Sequence, residues 1–583
     1  MTSIISRFLL ISSLGAALCL PLNAQLSESL TGLPASDAVV DAIYAIDDAD
    51  LQVMNVLDEL SNGIGARLTS SKNLTEACHW AQKKFASFGL SNSRLEEWGS
   101  FPVGFDRRLS VGAMTSPYKL ELSFNTNSWT PGTAGQVAGP AIAAPQTEEE
   151  LAALSGKLNN AWILSSTNKY APRFSDLEGN SLRDRFGAMC LAEGYAGVIK
   201  PCSKSGLLLT RGRYKIDPND LPSEVNITLL REQFADIFQL AKDGADVQLE
   251  FDIEQTFTAG PIPLYNVLAE IPGTDLANEI VIVGGHIDSW DGARGAQDNG
   301  TGTSTTLEAA RILKKAIDEL GVQPRRTIRF MLWSGEEQGL LGSRAYIEQH
   351  PAENEVISAV LVHDGGTNTC SGIQATPELK PLFEEAFGPV IEHTANNEDK
   401  DLRFRLVPVK RLPQGVGSDH DSYLRVGVPG FFWEQNGNAS YTYIHHTQHD
   451  TIDEVVPEYQ LASVRVIASG AWRIANMNQA LPREAPGNSR ANRGPRRHSL
   501  GVFLGDAMTI DELVKGGLAE QAGMKAGDVL ISVAGVKTED FQSLRKVLAS
   551  GEQQRVVVWS HGGKQMAAIF DWDRSEVEVI KAN

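Results

Sequence analysis

Three hydrophobic runs in the middle of this chain end on acidic or imidazole side chains, and a short fourth run near residue 445 does the same. Thr327-Ile328-Arg329-Phe330-Met331-Leu332-Trp333 leads to Glu336-Glu337, and Ile280-Val281-Ile282-Val283 leads to His286 and Asp288. Val356 to Val362 leads to His363-Asp364, and Tyr443-Ile444 leads to His445-His446-Thr447-Gln448-His449-Asp450. Each run reads as a buried strand. In open α/β sheets, ligand sites form beyond the carboxyl ends of the strands. Carboxylates and imidazoles gathered there point to divalent metal, and paired metals suit hydrolysis of a stable bond.

The chain has 583 residues and is 42% hydrophobic, enough for several buried cores. A prior of roughly two to four domains follows. A net charge of −20 excludes the basic footprint that nucleic acid requires. It selects no substrate, because net charge speaks to solubility and steering. Residues 1–24 read as a secretory leader. Arg7 is the one charge ahead of an apolar stretch from Phe8 to Leu20, and Leu22-Asn23-Ala24 offers a cleavage point before Gln25. The stretch is shorter than the roughly 20 residues that span a bilayer, and no later segment is apolar enough to span one. The expected location is therefore exported, periplasmic or extracellular. After cleavage Cys78, Cys190, Cys202 and Cys370 remain, with no CxxC to suggest a zinc-thiolate site. Export permits a Cys190–Cys202 disulfide; two separate buried thiols is the other reading.

From about Ala38 to Phe101 the spacing predicts helices, with Leu51, Met54, Leu57 and Leu60 on one face and a second helix through Ala77, Ala81 and Phe85 to Gly89. Around Ser128 the texture changes to short strands with Gly and Pro, as in Ala161–Leu164 and Ala196–Ile199, with a helix from Arg183 to Gly194 between them. This stretch has no cluster of His and acids and reads as an insertion. From Tyr265 strands alternate with helices, which predicts a largely parallel sheet. Leu307, Ala310, Leu313, Ile317 and Leu320 mark a helix that Gly321 ends, directly after Asp298-Asn299-Gly300. The expected division is a first catalytic part (25–129), an insertion (130–262), a second catalytic part holding the metal site (263–480), a linker (481–497) and a small separate domain (498–583).

Two adjacent metals need a bridging carboxylate, terminal His and acidic ligands, and an unligated base for the attacking water. His286 at a strand end, Asp298 before a helix, Glu336-Glu337, Asp364 and one of His445, His446 or His449 supply the parts. Asp288 stands two residues from His286, where it can orient the ring. Singly each has an ordinary explanation: an Asp before a helix is commonly a cap, and a Glu pair after a strand is commonly solvated. The ordered set is what carries the reading.

The chain resembles the M28 zinc exopeptidases. The resemblance rests on Gly285-His286-Ile287-Asp288-Ser289, Gly295-Ala296-Gln297-Asp298-Asn299-Gly300-Thr301-Gly302, Trp333-Ser334-Gly335-Glu336-Glu337-Gln338-Gly339-Leu340-Leu341-Gly342-Ser343, Asp364, Ser418-Asp419-His420 and His446-Thr447-Gln448-His449-Asp450-Thr451. It spans roughly residues 45–480. Asp288-Ser289-Trp290-Asp291 looks like the carboxypeptidase Q branch, whereas Asp298-Asn299 looks like the aminopeptidases. The resemblance implies an α/β, three-layer zinc-exopeptidase fold with a mixed, largely parallel sheet, and two Zn²⁺ (Mn²⁺ or Co²⁺ being alternatives). It puts His286 and Asp364 on one metal, Glu337 and His446 on the other, and Asp298 between them. Glu336 is implied as general base and Asp288 as the residue orienting His286. Ser418 and His420 are implied at the rim of the substrate site. Some relatives carry a tyrosine three residues before that serine. Gly415 stands here, so Tyr423 or His420 is the substitute to test for the oxyanion contact.

The insertion is similar to a protease-associated domain, which covers or restricts a cleft. Residues 498–583 resemble an exported-protease PDZ domain. Leu500-Gly501-Val502-Phe503 matches the loop that receives a peptide carboxylate, and Ala522–Leu530 matches the turn and strand after it. Such domains bind extended C-termini by strand addition; a PDZ used for packing alone is the alternative. The expected function is a dizinc aminopeptidase acting on peptides, with Glu434 holding the free ammonium. Alternatives are a carboxypeptidase or dipeptidase using Arg403, Arg405 or Lys410 for a substrate carboxylate, a non-peptide amidohydrolase, or an inactive binding scaffold. The expected partners are peptide substrates and a C-terminal peptide at the PDZ domain, with no nucleic acid.

Overall fold

Alternate residues of the central hydrophobic runs face opposite ways, and each set meets its own helical layer. The computed structural model describes residues 35–174, 177–483, 500–504, 508–513, 517–538, 541–548, 554–572 and 576–580. The expected leader and nearly all of the expected linker lie outside them. Strands Gly430–Phe432, Ile357–Val362, Leu276–His286 and Arg326–Trp333 lie side by side and parallel; Gln248–Ile271 and Ser91–Ser116 continue the sheet antiparallel. Val281, Val283, Phe330, Leu332, Ala359 and Leu361 pack on one side, against helices Thr301–Leu320 and Pro457–Ala475. Ile282, Met331, Trp333 and Val360 pack on the other, with Tyr346 of helix Leu341–Gln349 and Tyr423 of the short helix His420–Leu424. Burial on both faces is why these strands are continuously apolar rather than alternating. The result is the expected three-layer α/β arrangement with a mixed sheet.

Two stretches depart from the helical and strand expectations. The chain is helical over Ala35–Tyr44, Val53–Asp58 and Lys72–Ser87, but Ser91–Ser116 is one long strand. It is paired along its length with Gln248–Ile271, and this non-local partner overrides local spacing. Tyr443-Ile444, read as a short strand, lies in one helical turn, Tyr441–Ile444. With polar Ser440 and Thr442 around it, the segment has no sheet edge to join.

The same two long strands leave the main sheet together and carry a second module at their far ends. There Val137–Ala143 pairs with Gln248–Phe251, followed by Trp162–Leu164, Gly197–Pro201, Asn226–Leu229 and Phe124–Thr126. Helices Leu182–Glu193 and Arg231–Lys242 cover it, the first ending on Gly194 in the left-handed region. Cys190 and Cys202 are both buried free thiols, so the disulfide reading does not hold. A separate C-terminal unit pairs Val502–Leu504 with Ile510–Leu513 and has its own five-stranded sheet around Leu530, Val557, Trp559 and Phe570.

Gly284 shows how tightly the central strands are packed. A Cβ there would stand 2.0 Å from the Met331 carbonyl oxygen and 2.7 Å from the Trp333 ring. Gly284→Ala is expected to destabilise the main unfolding transition by about 2–3 kcal/mol, the upper range for overpacked cores, as read by urea denaturation.

Candidate metal centre

Three of the four parallel strands deliver side chains to one point beyond their ends. His286 is the last residue of its strand and is paired in register with Trp333; Glu336-Glu337 and Asp364 follow directly on the neighbouring strands. Asp298 and His446 come from loops that reach the same point. His286 Nε2 lies 3.0 Å from Asp364 Oδ1 and 3.3 Å from Asp298 Oδ1. His446 Nε2 lies 3.0 Å from Glu337 Oε2 and 3.3 Å from Asp298 Oδ2. Asp298 therefore turns one oxygen to each imidazole. Glu336 Oε2 is 3.9 Å from His286 Nε2.

Donor chemistry and unmet hydrogen bonding both fit metal at this point. Two groups of ligand atoms, His286–Asp298–Asp364 and Asp298–His445–His446, each lie within 4.8 Å of one another and share Asp298. Asp298 Oδ2 and Glu337 Oε1 are buried without a hydrogen-bond partner, and leaving acceptors unpaired is costly unless a cation meets them. Nitrogen and oxygen donors in this mixture suit Zn²⁺. The residues fit a pair of divalent ions sharing Asp298. Of the three candidate histidines, His446 meets both carboxylates. His445 stacks on it at 3.8 Å between ring centres and lies 3.8 Å from Asp298 Oδ2, while His449 stacks on Tyr443.

Surrounding groups hold the ligands rather than the metals. Asp288 accepts from the backbone N–H of Glu336 and of Glu337 (3.2 and 3.3 Å) and from the Thr69 hydroxyl, so it aims the Glu pair. The Asp288 backbone carbonyl takes His286 Nδ1 at 3.0 Å, leaving Nε2 toward the centre. Ser289 Oγ accepts from the Arg67 N–H, Trp290 meets the His446 ring edge-on at 6.1 Å, and Asp291 forms an ion pair with Arg107 at 3.1 Å. Asp450 accepts from the N–H groups of Gln297 and Asp298 and fixes the bridging loop. Asn299 donates to the His363 carbonyl and accepts from Gly302 N–H. Arg67 is wholly buried and donates to the carbonyls of Gly65, Ile287, Arg294 and Gly295.

The electrostatics follow from crowding. Burial and the neighbouring Asp298 push Glu337 up to about 7. Burial, then Asp364, Glu337 and Asp419, hold Glu336 well above the carboxylate range despite the pull of His286. Asp419 is pushed up to about 7 and Asp450 to about 8, both chiefly by burial. Asp298 goes the other way. Burial opposes it, but the His286 and His446 imidazoles hold its carboxylate far below the ordinary value. Burial works against the charge on His446, yet Asp298 and Glu337 raise it to about 10.

Of the expected substrate-side residues, Tyr423 and Glu434 are directed away from the cluster, whereas Ser418 and His420 flank Asp419 beside it, and the His420 imidazole feels the Asp364 charge. Tyr423 is in the core, its hydroxyl 3.2 Å from Trp333 Nε1 and 3.7 Å from the Met331 sulfur, so it is not at the site. Its helix packs between the sheet and helix Leu341–Gln349, which turns the ring inward. The same packing buries Ser418 and His420, which are not on an open rim; the His420 ring lies against Phe432. Glu434 accepts from Gln374 in a small sheet with Thr369–Ala375 and does not touch the cluster. Arg403 donates to the Asn397 carbonyl, and Arg405 and Lys410 are exposed. Tyr441, which sequence reading passed over, stacks on His445 at 4.8 Å and feels the charges of Asp298, Asp364, Glu337 and Glu336.

The inserted module reaches the centre through one loop. Thr210 N–H donates to the His446 carbonyl at 2.9 Å, Gln448 N–H donates to the Leu208 carbonyl, and Leu208 N–H donates to Gln448 Oε1. His446 has φ +55, a left-handed backbone that costs a non-glycine residue roughly 1–2 kcal/mol. These bonds and that of Thr447 Oγ1 to the Tyr443 carbonyl hold it there.

Comparison with known proteins agrees with this geometry. The profile "Peptidase family M28" matches residues 266–470, and a "PDZ domain" profile matches residues 509–559. Carboxypeptidase Q of Bos taurus is 31% identical over 434 residues, covering 73% of this chain and 85% of that protein. The chain belongs to peptidase family M28. Another M28 relative, carboxypeptidase Q of Mus musculus, is 33% identical over 219 residues, 38% of this chain and 43% of that protein. The matched segment thus spans less than half of the mouse protein. The crystal structure of a peptidase M28 precursor from Shewanella amazonensis SB2B superimposes with a TM-score of 0.53 at 25% identity, over 77% of this chain and 99% of that one.

Two outcomes are expected from an M28 centre of this form. The zinc-loaded chain retains about two ions per molecule and Asp364→Ala about one, by elemental analysis after dialysis. The second concerns pH. Glu337, Asp419 and Asp450, with folded values near 7, 7 and 8, sit above their unfolded values of about 4. They stabilise the chelated chain fully below pH 4, and that contribution is lost as pH rises through 7–8. The gap in Tm between zinc-loaded and chelated protein therefore widens from pH 5 to pH 8 by calorimetry. A constant gap contradicts the assignment.

Proposed function

We propose that this chain is an exported dizinc exopeptidase that hydrolyses terminal peptide bonds. The observation that carries this is the placement of Asp298, one oxygen toward His286 and one toward His446. In this reading His286 and Asp364 hold one ion, Glu337 and His446 the other, and Asp298 both. Bound there, the ions would polarise the scissile carbonyl and lower the pKa of water from 15.7 toward about 7. Glu336 takes the proton of the attacking water and returns it to the leaving amine. Burial and the neighbouring carboxylates raise its affinity for protons well above that of an ordinary glutamate, which favours its holding a proton taken from water. Asp288 acts through the Glu336 backbone and the His286 ring and touches no substrate. Part of the same proposal is the division into catalytic segments 25–129 and 263–480 around a 130–262 insertion, a 481–497 linker and a PDZ unit from 498. Among the described residues no helix is long and apolar enough to cross a membrane, and the leader expected at residues 1–24 supports export.

Aminopeptidase is the first reading. The centre gathers carboxylates (Asp288, Asp298, Glu336, Glu337, Asp364, Asp419 and Asp450), and such acidic surroundings favour a substrate ammonium over a substrate carboxylate. Glu434, engaged by Gln374, no longer supports this reading. Carboxypeptidase or dipeptidase is the second, favoured by the relatives named carboxypeptidase Q and by Lys204 of the insertion, whose charge is felt at His445.

Glu336→Gln is expected to keep its zinc while turnover falls by about 10²–10⁴-fold; near-normal turnover removes the base assignment. Aminoacyl anilides, N-blocked peptides and free dipeptides compared with and without chelator separate the readings. Chelator-sensitive release from anilides supports the aminopeptidase, and trimming of blocked peptides from the carboxyl end supports the carboxypeptidase.

A further inference from the structure

A cavity of about 680 Å³ opens between the inserted module and the PDZ unit, and none of the candidate metal ligands lines it. Lys169, Arg173, Arg183, Lys200, Arg211 and Arg231 line it, and among its described lining residues there is no carboxylate. In a chain of net charge −20, six cations around one hollow need an explanation. Acids offset some of the charges: Asp184 pairs with Arg173 at 3.5 Å and feels Arg183, Glu224 faces Lys200, and Glu232 faces Arg231. Among the described residues Lys169 and Arg211 form no such ion pair, so positive charge is left in excess. Burial, then Arg183, makes Lys200 give up its proton more readily than an ordinary lysine, with Glu224 opposing and Arg211 adding to the effect. A second hollow of about 570 Å³ continues the first, sharing Lys200 and Arg211 and adding Arg213.

The far wall of the cavity is Leu504, Thr509, Ile510 and Gly527 of the PDZ unit. Leu504 ends the short strand that follows the Leu500–Phe503 loop. Among the described residues that strand is paired on one side alone, with Ile510–Leu513. A peptide whose C-terminal carboxylate rests in the loop adds to the open edge by main-chain hydrogen bonds. Its preceding residues must then run beside the strand from Val502 toward Leu504, and so toward the basic cavity.

We propose that the PDZ unit and the inserted module together bind one ligand, a protein or peptide C-terminus with acidic side chains a few residues upstream of its end. The PDZ strand holds the main chain and the terminal carboxylate, and the cluster around Lys200 and Arg211 reads the acids. This rests on the PDZ unit being competent to bind peptide.

The test uses the full-length chain and fluorescence anisotropy with three dye-labelled decapeptides of one sequence: acidic at upstream positions with a free carboxylate, the same with Asp and Glu replaced by Asn and Gln, and the acidic peptide as a C-terminal amide. The acidic free peptide is expected to bind about tenfold tighter than the neutral one, with the difference shrinking as salt rises. Arg211→Glu and Lys169→Glu, both exposed residues, are expected to abolish the difference while leaving neutral-peptide affinity and Tm unchanged. Equal affinity of acidic and neutral peptides overturns the proposal and leaves PDZ binding standing. Tight binding of the amide makes the cavity an independent anion site and overturns the shared ligand. Binding of none of the three overturns it together with the peptide-binding reading.

Discussion

Carboxylates repel, and this fold drives seven of them into one pocket at the ends of its parallel strands. The side chains of Asp288, Asp298, Glu336, Glu337 and Asp364 are each at most a tenth exposed. Water cannot dissipate their charge there, so the surroundings must. His286 and His446 take part of it, and backbone N–H groups directed at Asp288 and Asp450 take more. Arg67, whose burial lowers it to about 10 although Asp450, Asp288, Asp298 and Glu337 pull the other way, contributes a full positive charge behind the ligands. Divalent ions supply what remains. Folding and metal loading are thus one electrostatic problem, and hydrogen bonds to neighbouring backbone N–H groups tie the ligand loops together.

The four residues from Asp288 to Asp291 show this economy. One aims the Glu pair, one closes on Arg67, one packs on His446, and one anchors Arg107 of the long strand. A short segment that resembled carboxypeptidase Q is therefore mainly a scaffold segment. It speaks to how the centre is held more than to which end of a peptide is cut.

The strands, the helix from Thr301 and the residues that converge on Asp298 were legible in the sequence because each leaves a local mark: an apolar run, a helical stripe, a ligand just beyond a strand end. What was not legible depends on partners far along the chain. Ser91–Ser116 has the composition of many local structures, and only its pairing with Gln248–Ile271 makes it a strand. Tyr423 and Glu434 carry suitable chemistry, but a helix packed into the core and a neighbouring glutamine direct them away. Arg67 was hidden because a buried cation bonded to backbone carbonyls has no spacing rule. Tyr441 was hidden because it reaches the cluster by stacking.

The clasp between residues 208–210 and the His446 loop has a historical consequence. An insertion joined by two strands alone can be exchanged, lost or enlarged without touching the chemistry. Here the module also touches the chemistry, since the backbone that presents His446 is held partly by Thr210. Exchange of the module between relatives should therefore succeed when this short loop travels with the host, and fail when it travels with the guest. In this chain the working boundary for such an exchange runs through the insertion, at residues 208–210, not around it.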